Sequence, residues 1–335
     1  MKEFKKVNKT FIKSKNTTSK IFNRYLYCLI PFILLIIIYN LIWGNTTEII
    51  NLIKSISISL ITSFIIQYIF NIIKKEKSIS KIFFEDKVLT ISIILGLFSK
   101  NSSILIIIIS SIVTIIIKNI SKNTTFSSSL YGILIILLSS YFTNNLDTPL
   151  TNLKEFHYIG TYDNILKPYG NILTYIFGLN NYLSPVLSII SFIYLFHKKS
   201  IKYNIVFSYI LTFVFTMLSF GIFNNMNIWY LFFQLTTGNI LFLIVFCGTD
   251  YPSTPTTGEG QTIYGIILGL LTSVLRFVIP ELSVVITLII GPLLSTKTIE
   301  RISFKLKYNH KYYYTILCTS IILVIITNII LNIII

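Results

Sequence analysis

The chain has 335 residues, of which 53% are hydrophobic and only 12% charged, and its formal net charge is +16. A mean hydropathy of +0.76 excludes a soluble globular domain, in which roughly a quarter of the residues are charged. Cys28, Cys247 and Cys318 are isolated and His157, His197 and His310 scattered, and there is no phosphate loop, Rossmann glycine pattern or serine elbow. This excludes a nucleotide-binding ATPase within the chain, a metal site and a complete iron–sulfur ligand set.

In chain order, residues 1–24 form a basic arm with eight lysines and arginines, and no small-residue cleavage site follows the next apolar run. The arm is expected to be retained and cytoplasmic, not a cleavable signal. A first span is predicted over 25–43, then a turn at Gly44-Asn45 and a second span over 48–73. Stretches 88–99 and 103–117 follow, either a tight hairpin about Ser99-Lys100-Asn101-Ser102 or one broken element. Further spans are predicted at 129–143, 182–197, 204–221, 229–248, 262–279, 281–294 and 312–335. Period-two alternation is absent, which argues against a membrane barrel.

The sequence thus predicts an all-α polytopic membrane protein of about 10–11 transmembrane helices. They fall into two five-helix halves, a first bundle over 25–143 and a second over 182–294, separated by a long outer loop, 144–181. A cytoplasmic basic segment, 295–311, then leads to an additional C-terminal helix, 312–335. Two membrane repeats of this kind commonly frame a central site.

Charge supports the alternation. With the N-terminus inside, cytoplasmic segments 1–24, 74–87, 118–128, 198–203, 249–261 and 295–311 hold 8, 5, 2, 3, 0 and 5 Lys/Arg, which is 23 of 28. Lysine and arginine hold loops in the cytoplasm. The positive charge therefore points to topology and to anionic lipid headgroups, with no nucleic-acid partner implied.

Segment 249–261 stands out because it has no basic residue, and its acids are Asp250 and Glu259. A lysine-free inner loop fits a segment docked on partner subunits or on a cofactor, where an ammonium group would cost desolvation. A Pro/Gly turn between helices is the alternative, with Asp250 as its turn-forming residue. Charges at membrane depth are expensive and tend to be functional. Asp250, Arg276 and Glu281 are accordingly candidates for an ion path or for structural charges. Arg276 is expected to snorkel outward and pair with Glu281, and Lys54 to snorkel as well. The three cysteines are expected to act as small apolar residues near span ends.

The stretch GTDYPSTPTTGEGQTIYGIILGLLTSVLR resembles a family signature: an Ala-Thr-Asp triplet, a Ser/Thr-Pro turn, then a Gly-rich span ending in arginine before Pro-Glu. That family is RnfD/NqrB, whose members are membrane components of the Rnf electron-transport complex and of the sodium-pumping NADH:quinone oxidoreductase. The corresponding residues are Gly248-Thr249-Asp250, Ser253 to Thr257, Gly265 to Gly269, Arg276 and Pro280-Glu281. The opening FIKSKNTTSKIFNRYLYCLIP is similar to the family's arm and first span. The resemblance covers about residues 8–301, and 312–335 looks like an addition.

The resemblance implies a membrane subunit of an Rnf-type ferredoxin:NAD oxidoreductase that passes electrons through flavin and couples them to sodium or proton translocation. It implies other membrane and peripheral subunits as partners, a multi-pass placement in a bacterial cytoplasmic membrane, and no catalytic residue of the chain's own. It also implies FMN bound covalently through a threonine, and a second, noncovalent flavin is possible. Thr148 stands at the attachment position in Phe142-Thr143-Asn144-Asn145-Leu146-Asp147-Thr148-Pro149-Leu150. The family's acid, Ser/Thr, glycine and alanine are replaced there by Phe142, Asn145, Leu146 and Asp147, and the chain contains no alanine. A second family segment, Phe-Asn-Pro-Ala, survives only as Phe126-Ser127-Ser128-Ser129, and a third, a Gly-Glu-Thr/Ser turn, as Asn180 to Pro185. A flavin-free transporter, channel or scaffold protein on the same helices is the alternative.

Overall fold

The computed structural model describes residues 18–42, 44–73, 87–121, 127–142, 183–223, 228–251 and 253–293, with 299 and 326. Every element among them is an α-helix, and none is a strand. The first half has α1 (Thr18–Ile42), α2 (Thr46–Ile73), α3 (Val88–Phe98), α4 (Ile104–Ile120) and α5 (Ser128–Phe142). The second has α6 (Pro185–His197), α7 (Tyr203–Phe223), α8 (Ile228–Thr236), α9 (Ile240–Phe246), α10 (Gly258–Val278) and α11 (Ser283–Leu293).

The protein is a multi-pass membrane protein. Among the described residues four helices are long and apolar enough to cross: Lys20–Ile42, Thr46–Ile73, Tyr203–Phe223 and Gly258–Val278. The others are shorter; α3, with 11 residues, extends only about 16 Å. In hydrocarbon every backbone polar group needs an internal partner, which helices supply along their length. Their ends show local reasons for starting where they do. Thr257 caps α10 by accepting from the Gly260 amide at 3.2 Å, and Ser184 caps α6 through the Leu187 amide at 3.2 Å, with Pro185 at the first helical position.

One open alternative is settled and two boundaries differ from expectation. The open alternative at 88–117 resolves into two helices, α3 and α4, joined by a turn at 99–103. The span expected as continuous over 229–248 is two helices, broken at Thr237-Gly238-Asn239. Gly238 and Asn239 both have positive φ, +71° and +57°, which ends one helix and starts another. Finally, α1 starts at Thr18, ahead of 25, so Lys20 and Arg24 of the arm are helical. The added span 312–335 and the loop 144–181 lie outside the described residues, apart from residue 326.

The halves share most of one packing scheme, to which the first adds α1 on α2 and α3 on α4. In the first, α2 packs on α3 and α4, α4 on α5, α3 on α5 and α1 on α3. In the second, α7 packs on α8 and α10, α10 on α11, α9 on α11 and α6 on α9. Corresponding elements also meet each other, α1 against α6 and α5 against α11, as they would about a two-fold axis. The broken pair α8/α9 is thus the counterpart of the short helix α3.

Small residues let the helices approach, the usual device where lipid removes the hydrophobic drive for helix association. On α2, Ser55 and Ser59 donate to the carbonyls of Gly96 and Ser92 on α3 at 2.8 and 2.9 Å. On α10, Gly265 and Gly269 face α7, where an added Cβ would strike Ser208 and Thr212. Buried hydroxyls elsewhere bond back to their own helix, as Thr216 does to Thr212 O at 3.0 Å.

Candidate functional site

One end of the bundle gathers the starts of α1, α5, α7 and α10 and the ends of α6 and α9; it is the basic side, after the lysines of its segments. Arg24 donates from Nη1 to Lys198 O and to Ser200 Oγ, both at 2.8 Å, which ties the start of α1 to the end of α6. At the opposite end Lys100 pairs with Glu48 at 3.7 Å; burial lowers the lysine's pKa and the carboxylate acts against that shift.

Asp250 is the centre of the basic side. It is 2% exposed, and its Oδ2 accepts from Ser127 N at 3.1 Å and Ser127 Oγ at 3.0 Å. A carboxylate at the first residues of α5 sits where the helix dipole and free amides favour negative charge. On either side of it, Thr249 Oγ1 and Tyr25 OH share a hydrogen bond of 3.3 Å, and Cys247 Sγ lies 3.4 Å from Ser129 Oγ. Three segments far apart in sequence therefore converge here. They are the start of α1, the Ser127-to-Ser129 segment and Gly248-Thr249-Asp250.

Behind this junction an aromatic group joins the halves. Phe242 and Phe246 of α9 lie 5.2 and 6.0 Å from Phe32 of α1, and Phe242 lies 5.8 Å from Phe98 of α3. Such edge and tilted contacts add to area burial. Cys28 and Cys247 are buried free thiols near the basic side; Cys318 lies outside the described residues.

The lysine-free loop is not free of lysine in space. Lys202, 7% exposed at the start of α7, donates to Tyr251 O at 2.9 Å, Thr254 O at 2.9 Å and Thr254 Oγ1 at 2.7 Å. Its three protons meet three acceptors, and its ammonium stands 5.1 Å from the Tyr251 ring centroid. Thr254 Oγ1 in turn lies 2.6 Å from Asp250 O. Ser253 and Thr254 are buried within the chain itself. Tyr251 remains 43% exposed, and partial burial raises its phenol pKa.

Arg276 is a second centre. It is fully buried at 0% exposure, which overturns the expectation that it snorkels. Its Nε donates to Gln234 Oε1 at 3.0 Å; Nη2 donates to Gln234 O at 3.2 Å, Thr237 O at 2.9 Å and Thr237 Oγ1 at 3.0 Å. Nη1 reaches Pro280 O at 3.4 Å. The guanidinium thus covers the C-terminal end of α8, where carbonyls lose their helical donors and the dipole is negative. Glu281 lies just beyond Pro280 and is 7% exposed. Lys54 is exposed on α2. Thr148 lies outside the described residues.

Lys202, Gln234 and Thr237 were missed as functional residues from sequence. Thr236-Thr237-Gly238-Asn239 inside an apolar run does carry a break signal, whereas nothing in Lys202 distinguishes it from its neighbours Lys198 and Lys199.

An all-α bundle whose halves repeat one scheme, with a helix broken inside it and charges buried at the break and at one end, is a polytopic membrane protein built about internal polar centres. The chain belongs to the NQR2, RnfD, RnfE family, whose model matches residues 6–302. It is accordingly a membrane subunit of an Rnf/Nqr-type complex. The matched stretch stops before 312–335, the segment read as an addition. Comparison with curated proteins gives no match.

Proposed function

We propose that the chain is the flavin-bearing membrane subunit of an Rnf-type ferredoxin:NAD oxidoreductase in a bacterial cytoplasmic membrane, with its N-terminus in the cytoplasm. The observation that carries the reading is the convergence of three segments on Asp250. Tyr25, Ser127 and Ser129, and Thr249-Asp250 come from the three places where the chain resembles the family most, or once did, and they form one bonded junction. Of the charged candidates, Arg276 has partners throughout its guanidinium and is a structural charge. Asp250 and Glu281 are the buried carboxylates that remain for a sodium or proton path. Other membrane and peripheral subunits of the complex, and anionic headgroups against the basic arm, are the partners that follow.

Thr148 is the residue that would hold FMN covalently. The attachment segment follows Phe142, the last residue of α5, which is 79% exposed. FMN supplies one- and two-electron transfer, and the protein's part is to hold and orient it. A second flavin, bound noncovalently, belongs to the same reading.

The test is flavin fluorescence of the denatured protein in a gel, after expression with its native flavin transferase, for wild type and Thr148→Val. A fluorescent wild-type band lost in the variant establishes Thr148 as the acceptor. A dark wild-type band, with a known acceptor labelled in the same cells, removes the covalent flavin. It would favour the flavin-free transporter or scaffold reading that Leu146 in the attachment segment suggests.

A further inference from the structure

We infer that Arg276 is a tethered cation: its guanidinium occupies an oxygen cage at the break between α8 and α9 that otherwise suits an alkali metal ion, and it holds that break closed. The cage consists of Gln234 Oε1, Gln234 O, Thr237 O, Thr237 Oγ1 and Pro280 O, each within 2.9 to 3.4 Å of a guanidinium nitrogen. Backbone carbonyls, a hydroxyl and an amide oxygen at an unwound helix end are the ligand types that take sodium or potassium in membrane proteins. Here they are drawn from α8, from the break and from the residue before Glu281, and a side chain from α10 fills the space among them.

The orientation of Gln234 argues for the positive charge as the organising element. Its carboxamide turns the oxygen to the Arg276 guanidinium at 3.0 Å, in a residue that is 0% exposed. A hydrogen bond from a guanidinium to a buried amide oxygen is charge-assisted and stronger than a neutral one. The positive φ of Gly238 and Asn239 points the same way, since the break exposes carbonyls that only a cation or several donors can satisfy. With Arg276 in place no mobile cation can share the cage, because like charges a few ångströms apart in a medium of low polarity repel strongly.

The experiment is thermal unfolding of the purified full-length chain in detergent, in choline, sodium and potassium chloride at equal ionic strength, and with low millimolar guanidinium. Wild type sets the baseline response to each salt. Arg276→Ala is expected to melt lower in choline and to regain about 3 °C or more, saturably and beyond the wild-type response, with sodium, potassium or guanidinium. Arg276→Lys, which keeps a cation, is expected to fold in every salt and follow wild type. Thr237→Val added to Arg276→Ala removes one cage oxygen and should weaken the rescue. Arg276→Ala that responds to these ions no more than wild type, or that yields no folded protein in any of them while Arg276→Lys folds, overturns the inference. The outcome is independent of whether flavin is bound at Thr148.

Discussion

At the residue scale, two buried charges have different neighbours and different consequences. Asp250 is held by a backbone amide and a hydroxyl of the same residue, Ser127. Asp250→Asn keeps the shape but removes the charge from the start of α5, at an expected cost of about 1–3 kcal/mol. Ser127→Ala retains the amide bond and should cost less, so the order of melting temperatures, wild type above Ser127→Ala above Asp250→Asn, checks the geometry. If Asp250→Asn melted with wild type, the carboxylate would not be needed at the helix start. Arg276 shows why charge at depth is hard to read from sequence. The same arginine four residues before Pro280 snorkels or is caged according to whether a neighbouring helix is broken beside it, and that break belongs to α8 and α9, some forty residues earlier.

At the scale of elements, the helices were legible because long apolar runs and basic loops are properties of the chain itself. The limits of α2 and α7 agree with the sequence to within two residues. The broken span was not legible as such, because the apolar residues on either side of Thr236 to Asn239 gave a run long enough for one crossing. The Asp250 loop was legible in composition, but the lysine that holds it was not, since it comes from the start of α7. Lys202→Met leaves two carbonyls and a hydroxyl without their donor. It is expected to destabilise the chain by about 2 kcal/mol or more and to open 250–257 to protease. An unchanged melting curve with an uncut loop would show that Lys202 merely lies beside the turn. Packing of α10 on α7 gives a third expectation. Gly269→Leu places a side chain where even a Cβ meets Thr212 and the Tyr209 carbonyl, and it should abolish the folded monomer or lower its melting temperature by many degrees. Gly258→Ala, whose Cβ would meet only the Asn204 side chain at 3.4 Å, is the matched control and should behave as wild type.

At the scale of the whole molecule, the family was legible at the two ends of the matched region, in the opening arm and in the Gly248-to-Arg276 stretch. What those residues have in common appears only in three dimensions. Tyr25 and Thr249 touch although they are 224 positions apart, and Ser127 and Asp250 although they are 123 apart. The degraded Phe126-to-Ser129 segment looked in the sequence like a lost motif. In the fold Ser127 still supplies both bonds to Asp250, because an amide proton is present whatever the side chain and a serine hydroxyl adds a second donor.

The span of 123 residues also sets an order of events during synthesis. A ribosome adding about 5–20 residues per second delivers Asp250 some 6–25 seconds after Ser127. For that interval the first half sits in the bilayer with the start of α5 lacking its carboxylate and the aromatic face of α1 lacking α9. A nascent chain stalled between the two halves is therefore an incomplete membrane protein, and it is the natural client of whatever holds unfinished helices in place until α9 and its aspartate arrive.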